Sequence, residues 1–277
     1  MGRIGNSLSD IDYFAGYAER FIVGNYGRNV SIEQKLKFLD KFGYNPSLDT
    51  TDGAVTVSTL GTNETLQTTN SITHVTAGTG DTQTLFVEGH YLDANGNLIF
   101  KVQTVTLSQT TNVALTQPLA RVSRAYIKEG STLVGPVDAR IGSGGTSVAE
   151  IPAGENQTQK CQTSLSYRDF YVVYNFGSAV LTSNNGSVTF QFEFRPLFDT
   201  DGTAFTNPVW RPLTKRWVLG NNASETFPQR TPIILPPNSD VRITAVTTAN
   251  STIVTGFFDG YLAVDKNLAD RADPAPA

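Results

Sequence analysis

The sequence predicts a mainly β protein, in which a short helical N-terminal arm is followed by two jelly-roll-like β-sandwich units. One observation is the segment Ser187 to Pro196, where apolar and polar residues alternate as in a strand with one buried face. The other is the even succession of short strand-like runs separated by Gly, Pro and Asn turns, which is typical of sandwiches and jelly rolls. The predicted core residues of the first segment are Val188, Phe190, Phe192 and Phe194.

Residues 1–46 are predicted to form the arm, as two short helices. Apolar residues recur at helical spacing from Asp10 to Val23, and a second apolar stripe runs from Ser31 to Phe42 before Gly43. Two short helices cannot bury so many aromatic side chains, so we expect the arm to dock, and we favour a neighbouring molecule over its own body. Its predicted contact residues are Ile11, Tyr13, Phe14, Tyr17, Phe21, Ile22, Tyr26, Leu36 and Phe38.

Turn chemistry divides the rest of the chain. Asn45 precedes Pro46, and the residue before proline disfavours the α region, so the arm is predicted to end there. The first β unit is predicted to span 47–147 and to end at its Gly-rich stretch, and the second to span 148–267. The tail, 268–277, lacks core residues and is expected to be mobile unless a partner holds it.

Composition narrows the function classes. The chain has 277 residues, 39% of them hydrophobic, which suffices to bury a core. Charged residues make up only 17%, so the surface favours extended protein–protein packing, and the scattered Lys and Arg predict no specific nucleic-acid role. No apolar run reaches the length of a membrane-spanning helix, and no signal peptide is recognised. Cys161 is the single cysteine, so neither an internal disulfide nor a cysteine metal site is expected.

The sequence offers no catalytic constellation, and we expect neither an enzyme nor a cofactor. His74 and His90 lie on different predicted strands without the spacing of a metal or general-base site. The run Asp93 to Asn97 resembles the start of a calcium loop, but the required Gly and Glu are absent, so we interpret it as a hairpin turn. We also find no phosphate loop and no nucleophile elbow.

A group of aromatic residues leaves one alternative open. Tyr261, Phe257, Phe258 and Trp217 could form a platform for stacking on a sugar. Packing in a core or an interface is favoured, because sandwich cores take their bulk from such residues. A carbohydrate-binding or carbohydrate-cleaving module therefore stays as an alternative hypothesis.

The segment Lys41 to Thr50 resembles the K-F-G-x-N-P-x-I-D-T opening of a family of tailed-phage virion structural proteins. Further segments similar to that family follow in order, namely Tyr91–Gly96, Val105–Leu107, Arg121–Tyr126, Ile151–Thr158, Phe190–Pro196 and Ile234–Arg242. The resemblance covers residues 40 to 265. It implies a non-enzymatic particle component that is made in the host cytoplasm and built into the virion.

The resemblance leaves the place in the particle open. Our first hypothesis is a capsid decoration or cement protein that stabilises the head through its N-terminal arm, with the major capsid protein as partner. The alternative is a tail, collar or fibre-attachment component bound to tail or neck proteins. Either would be a homo-oligomer, for which we expect a trimer, since closed assemblies reuse one interface.

Overall fold

The computed structural model describes residues 37–62, 66–78, 80–109, 111–127, 132–182, 186–198 and 203–264. Within these ranges all regular secondary structure is β, which confirms the prediction of a mainly β protein. The strands are β1 (Lys37–Leu48), β2 (Val55–Thr56), β3 (Ile72–Thr76), β4 (Thr84–Leu92), β5 (Leu98–Thr106), β6 (Asn112–Leu119), β7 (Arg121–Ile127), β8 (Val137–Ile141), β9 (Ser147–Ile151), β10 (Gln162–Leu165), β11 (Asp169–Thr182), β12 (Val188–Pro196), β13 (Arg211–Pro212), β14 (Trp217–Leu219), β15 (Ser224–Leu235), β16 (Ser239–Thr247) and β17 (Thr252–Val264).

These strands form four antiparallel sheets. Sheet I has the order β1-β17-β11-β15, and sheet II the order β10-β16-β12-β13, with β14 also on β12 and β2 also on β16. Sheet III has the order β6-β3-β8-β9, and sheet IV the order β5-β4-β7.

The second predicted helix is wrong where the structure describes it. Lys37 to Phe42 lie in β1, which pairs with β17 so that Phe38 faces Tyr261 and Phe42 faces Phe257. The apolar residues of this stretch fit a period of two as well as a helical period, and the long-range pairing decides between them. The first predicted helix, and every predicted arm contact except Phe38, lies outside the described residues.

Sheets I and II contain eight strand positions, because β2 and β10 share one edge of β16, and β13 and β14 share one edge of β12. When these positions are numbered 1 to 8 along the chain, sheet I has the order 1-8-3-6 and sheet II the order 2-7-4-5. Aromatic rings from both sheets fill the space between them. Phe192 of sheet II lies 5.1 Å from Phe176 and 5.3 Å from Phe258 of sheet I, between ring centroids. We call this pair of sheets the body.

The strand with the clearest sequence pattern, β12, runs through the middle of the body. Val188, Phe190 and Phe192 are fully buried, and Phe194 packs at the margin of the same core. The opposite face is also covered, because Gln191 is buried and its side-chain amide donates to the carbonyl of Thr214. The alternation along β12 thus separates an apolar from a polar face, and both are packed.

Sheets III and IV form an insertion in the body, comprising residues 58–160. The chain leaves the body after β2 and returns at β10, and the N–H of Cys161 donates to the carbonyl of Val57 at 2.9 Å. Residues of both sheets share a second apolar cluster, which includes Ile72, Leu119 and Ile151 of sheet III and Leu85 and Val87 of sheet IV. The predicted unit boundaries after residues 46 and 147 fall within β1 and β9.

Gly43 lies where β1 crosses the point of insertion. A Cβ atom there would lie 2.0 Å from the carbonyl oxygen of Val57 and 2.5 Å from the nitrogen of Cys161. Both contacts are to backbone atoms, which cannot rotate away. The glycine of the K-F-G segment is therefore required for the close approach of three backbones.

A hydrogen bond between the two sheets of the body yields a first prediction. The indole N–H of Trp217 donates to the Ser178 hydroxyl at 2.7 Å in a buried position. Ser178→Ala should lower the free energy of unfolding by about 1–2 kcal/mol, because the buried indole N–H loses its acceptor. Urea unfolding followed by tryptophan fluorescence measures the loss. Ser143→Ala, in an exposed turn, is the control, and equal stabilities of the two variants would contradict the prediction.

Candidate functional site: an aromatic face and a groove along the first strand

The outer side of sheet I carries a cluster of aromatic residues. Because Leu39, Lys41 and Gly43 of β1 point inward, the alternate residues point outward. The register places those of β17 beside them. We define the aromatic face as Phe38, Phe42, Tyr174, Phe257 and Tyr261. Phe38 is 51% exposed and Phe42 38% exposed, so the face is open to solvent in the described part of the chain.

Three of these rings contact one another. The ring centroids of Phe38 and Tyr261 lie 5.8 Å apart, those of Tyr174 and Tyr261 5.6 Å apart, and those of Phe38 and Tyr174 6.5 Å apart. These separations are those of favourable aromatic pairs. A contiguous exposed group of rings of this kind is typical of a surface that binds another molecule.

Two carboxylates lie within the aromatic face. Asp40 and Asp259 are directly opposite in the register of β1 and β17, and Asn175 donates to Asp259 at 3.3 Å. Partial burial raises the pKa of Asp259, the hydrogen bond from Asn175 opposes this, and the Asp40 carboxylate adds to it. Burial, and then the charge of Asp259, raises the pKa of Tyr174 to about 12. Like charges directly opposite are unfavourable, so a partner that brings a cation to this face would be stabilising.

A second feature is a cavity of about 420 Å³ between the edge of β1 and the outer side of sheet IV. We call it the groove. Its lining comes from both the body and the insertion, and comprises Phe38, Leu39, Asp40, Lys41, Phe42, Glu88, His90, Phe100, Ser123, Arg124, Gln157, Thr158, Lys160, Thr163, Ser164, Asp169 and Leu262.

The backbone edge of β1 forms one wall of the groove. β1 is the last strand of sheet I, so only one of its edges pairs with β17. The N–H of Tyr44 donates to the carbonyl of Gln159 at 3.4 Å and so points away from β17. Backbone groups alternate along an antiparallel strand, so those of Phe38, Asp40 and Phe42 also point away from β17 and toward the groove.

Two buried lysines lie at the groove. Lys41 is 5% exposed and its amine donates to the carbonyl of Ser123. Burial lowers the pKa of Lys41 to about 7; Glu88 opposes the shift, and the charges of Lys160 and Arg124 add to it. Lys160 is equally buried, and its amine lies within hydrogen-bonding distance of two backbone carbonyls at 3.3 and 3.4 Å.

Arg124 and His90 complete the polar lining next to Lys41. The guanidinium of Arg124 lies over the Tyr126 ring at 4.5 Å. Its Nε is buried and has no hydrogen-bond partner among the described residues. His90 is buried, and its Nδ1 lies 3.4 Å from the Ser123 hydroxyl. The groove therefore presents cationic donors to a space large enough for a ligand.

A buried ion cluster joins the insertion to the body beside the groove. Arg121 of β7 donates from Nε to Asp240 of β16 at 2.9 Å, and Arg195 of β12 donates to the same carboxylate at 2.6 Å. Ser164 also donates to it. Burial alone would raise the pKa of Asp240, but the two guanidinium groups outweigh burial and hold it at about 2.

The structure separates several residues that the sequence analysis considered together. Phe258 and Trp217 lie in the core of the body, whereas Phe257 and Tyr261 lie on the aromatic face. His74 is on sheet III and His90 on sheet IV. The sequence does not predict Lys41 or Asp240 as a site residue, because no local motif marks a residue whose partners are 45 or more positions away in the sequence.

The described ranges also bear on metal sites and on membrane-spanning helices. No group of three or more His, Cys, Asp or Glu side chains there could hold a metal ion. None of these residues forms a helix that is long and apolar enough to cross a membrane.

Comparison with known proteins assigns no family. No family model matches the chain, and no curated protein matches it. A tandem CBM22 domain of Paenibacillus barcinonensis Xyn10C is 12% identical, over 83% of this chain and 92% of its own, with a TM-score of 0.24. A structure of infectious bursal disease virus, Gx strain, is 9% identical over 86% of this chain and 83% of its own, with a TM-score of 0.21. At such TM-scores neither match supports a statement about fold or function.

Proposed function

We propose that the protein is a non-enzymatic structural component of a tailed-phage virion, and that its aromatic face packs against a neighbouring subunit of the particle. The observation that carries the proposal is the strand order of the body. Orders 1-8-3-6 and 2-7-4-5 in two facing sheets are those of a jelly roll, in which two Greek keys fold over each other.

The jelly roll narrows the function without fixing it. Viral capsid proteins, lectins and cupins all use this fold, so the decision rests on the surfaces. The resemblance of Lys41 to Thr50 to tailed-phage virion proteins falls on β1 and the turn after it, the part of the body that carries Phe42. The start of the motif and two rings of the aromatic face, Phe38 and Phe42, thus belong to the same strand.

The aromatic face is suited to repeated protein contacts. Burying apolar surface contributes about 25 cal/mol per Å², and an aromatic side chain can bury roughly 150–250 Å². Complete burial of Phe38 and Phe42, both partly exposed, would therefore contribute about 3–6 kcal/mol to an interface. A capsid decoration protein repeats such a contact around the shell, and this is the role we favour over a tail, collar or fibre-attachment role.

Copy number in the particle tests the proposal and distinguishes the two locations. We expect quantitative mass spectrometry of gradient-purified virions to find this chain within a fewfold of the major capsid protein. A ratio of about one to a hundred would move the protein to the tail or neck. Its absence from virions would refute the proposal.

Substitutions on the aromatic face test the contact itself. The double variant Phe38→Ser and Tyr261→Ser should fold normally and lose at least tenfold in incorporation into particles, because the exposed rings no longer bury apolar surface there. Ile234→Ser is the matched control, since Ile234 is 50% exposed on the opposite edge strand of the same sheet. Equal incorporation of the variant and the control would place the contact elsewhere on the protein.

A carbohydrate-binding host-recognition module is a second candidate. The observation that favours it is the position of three contacting rings beside the Asp40 and Asp259 carboxylates, since rings and carboxylates can stack on and hydrogen-bond to a sugar. A glycan array probed with the wild type and with the same double variant distinguishes this candidate from packing against a subunit. Glycan binding by the wild type that is lost in the variant would support this candidate over packing against a subunit.

A further inference from the structure

We propose that the groove is a second interaction site, which binds an extended segment of a partner protein as an added strand on β1 and receives an acidic side chain of that segment at Lys41 and Arg124. This site lies at the junction of the body and the insertion, and it shares only Phe38 and Phe42 of the aromatic face. The inference does not depend on the virion role.

The backbone of β1 supplies the first part of the argument. Phe38, Asp40 and Phe42 direct their N–H and C=O groups toward the groove, as the bond from Tyr44 to Gln159 establishes. A strand edge with free backbone groups is a template for an added strand, and main-chain hydrogen bonds supply affinity in such complexes. The groove runs along five consecutive residues of β1, which is enough for a short strand.

The charges of the groove define the side chain that would fit. The Nε of Arg124 is buried without an acceptor among the described residues, and the Lys41 amine donates to a single described acceptor, the Ser123 carbonyl. A buried donor without an acceptor is unfavourable, and a carboxylate accepts several hydrogen bonds at once. A Glu or Asp side chain of the added strand would supply these missing acceptors.

Other charged and titratable groups face Lys41 and determine the net charge of the groove. Glu88 projects from β4 and attracts Lys41, while Lys160 from the segment before β10 repels it. His90 of β4 and the buried Cys161 also lie nearby. Among the lining carboxylates, Asp40 points its side chain to the other side of sheet I, which leaves Glu88 and Asp169. The lining cations are Lys41, Arg124 and Lys160. The groove therefore has more cationic than anionic side chains directed into it.

The size and rim of the groove suit a peptide. A volume of about 420 Å³ lies within the range of ligand-binding cavities. Phe100, which is 37% exposed, lines the groove from sheet IV, and Phe42, which is 38% exposed on the outer side of β1, lies at its rim. Alternate side chains of an added strand would meet these rings, while the acidic side chain between them reaches the buried cations.

The test uses the full chain and two blocked pentapeptides, Thr-Val-Glu-Val-Thr and Thr-Val-Gln-Val-Thr. Titration near pH 6, followed by calorimetry and by NMR of the backbone amides, should show the Glu peptide binding roughly tenfold more tightly than the Gln peptide. The amide shifts should be confined to β1 and the groove. Failure of both peptides to bind, or equal affinities, would overturn the proposal.

Two variants separate the backbone and charge contributions. The N–H of Asp40 points to the groove and not to β17, and an edge strand tolerates proline at such a position. Asp40→Pro removes this N–H and should therefore abolish binding of both peptides. Lys41→Met should remove the difference between the peptides, whereas Lys101→Met, on the exposed side of β5, should retain it. Unchanged binding in both Asp40→Pro and Lys41→Met would show that the peptide lies elsewhere.

Discussion

Asp240→Asn is expected to lower the free energy of unfolding by about 3–5 kcal/mol, because it removes the negative charge from a buried ion cluster while keeping the shape of the side chain. Asp240 is fully buried and Arg121 is 3% exposed, so water cannot replace the missing carboxylate. Two guanidinium groups would then face each other without a counter-charge. Urea unfolding at neutral pH measures the loss.

The Asp240 carboxyl should also make the free energy of unfolding depend on pH in the acid range. The pKa of Asp240 is lowered from 3.8 to about 2, so its contribution to stability is present above about pH 4 and is lost as the pH falls through about 2. The size of that contribution is about 2 kcal/mol. Asp240→Asn should remove this part of the acid titration. Glu155→Gln, on an exposed turn, is the control and should leave both the stability and the titration unchanged.

The ion cluster also connects two parts of the molecule. Arg121 belongs to the insertion, whereas Asp240 and Arg195 belong to sheet II. We therefore expect Asp240→Asn to weaken the joint between insertion and body, and to separate their unfolding into two transitions. A single transition with a loss below about 1 kcal/mol would show that the two arginines find other partners.

The sequence predicts local features of this fold better than distant pairings. The alternation along β12 is complete within ten residues, and it identified the side chains that fill the core of the body. The sequence predicts a helix for the first half of β1, up to Phe42, because the apolar residues there fit two periods, and only β17, more than 200 positions later, decides between them. Local sequence patterns do not predict the insertion either, because it is defined by the pairing of two distant strands, β2 and β10, with the same edge of β16.

The candidate sites follow the same rule. Phe38 was predicted as a contact residue, and it lies on the aromatic face with rings from β11 and β17. The groove could not be predicted, because its walls come from β1, sheet IV and the segment before β10. A lysine in an amphipathic stretch is ordinarily a solvated residue, and nothing in its neighbours along the chain indicates that Lys41 is buried.

Lys41→Met is expected to raise the free energy of unfolding by about 2–4 kcal/mol near pH 6, which is the opposite of the usual effect of a buried substitution. The pKa of Lys41 is lowered from 10.5 to about 7, so near pH 6 the folded protein holds a charged amine in a buried position. Methionine fills a similar volume without that charge. The gain is partly offset by the lost hydrogen bond to the Ser123 carbonyl, worth about 1 kcal/mol.

The pH dependence of the free energy of unfolding tests the role of the Lys41 charge more directly than the stability at a single pH. Between about pH 7 and 10 the unfolded chain binds a proton at Lys41 that the folded protein does not, so Lys41 contributes a rise of the wild-type stability with pH. From pH 7 to 8.5 the rise amounts to about 2 kcal/mol. The measurement ends at pH 8.5 because burial raises the pKa of the Cys161 thiol above its ordinary value of 9.0, so above that pH the unfolded chain loses this proton first and the stability falls. Lys41→Met should lack the rise, and Lys101→Met should keep it.

The stability of Lys41→Met and its preference between the two peptides together indicate whether the buried amine serves binding or folding. A residue that lowers stability and yet lies at an open groove is more readily explained by a role in binding than by a role in folding. If the variant gains stability and loses the preference for the acidic peptide, stability and recognition oppose each other at this position. If it loses stability instead, Glu88 and the Ser123 carbonyl compensate the charge, and Lys41 is a structural link between β1 and β7.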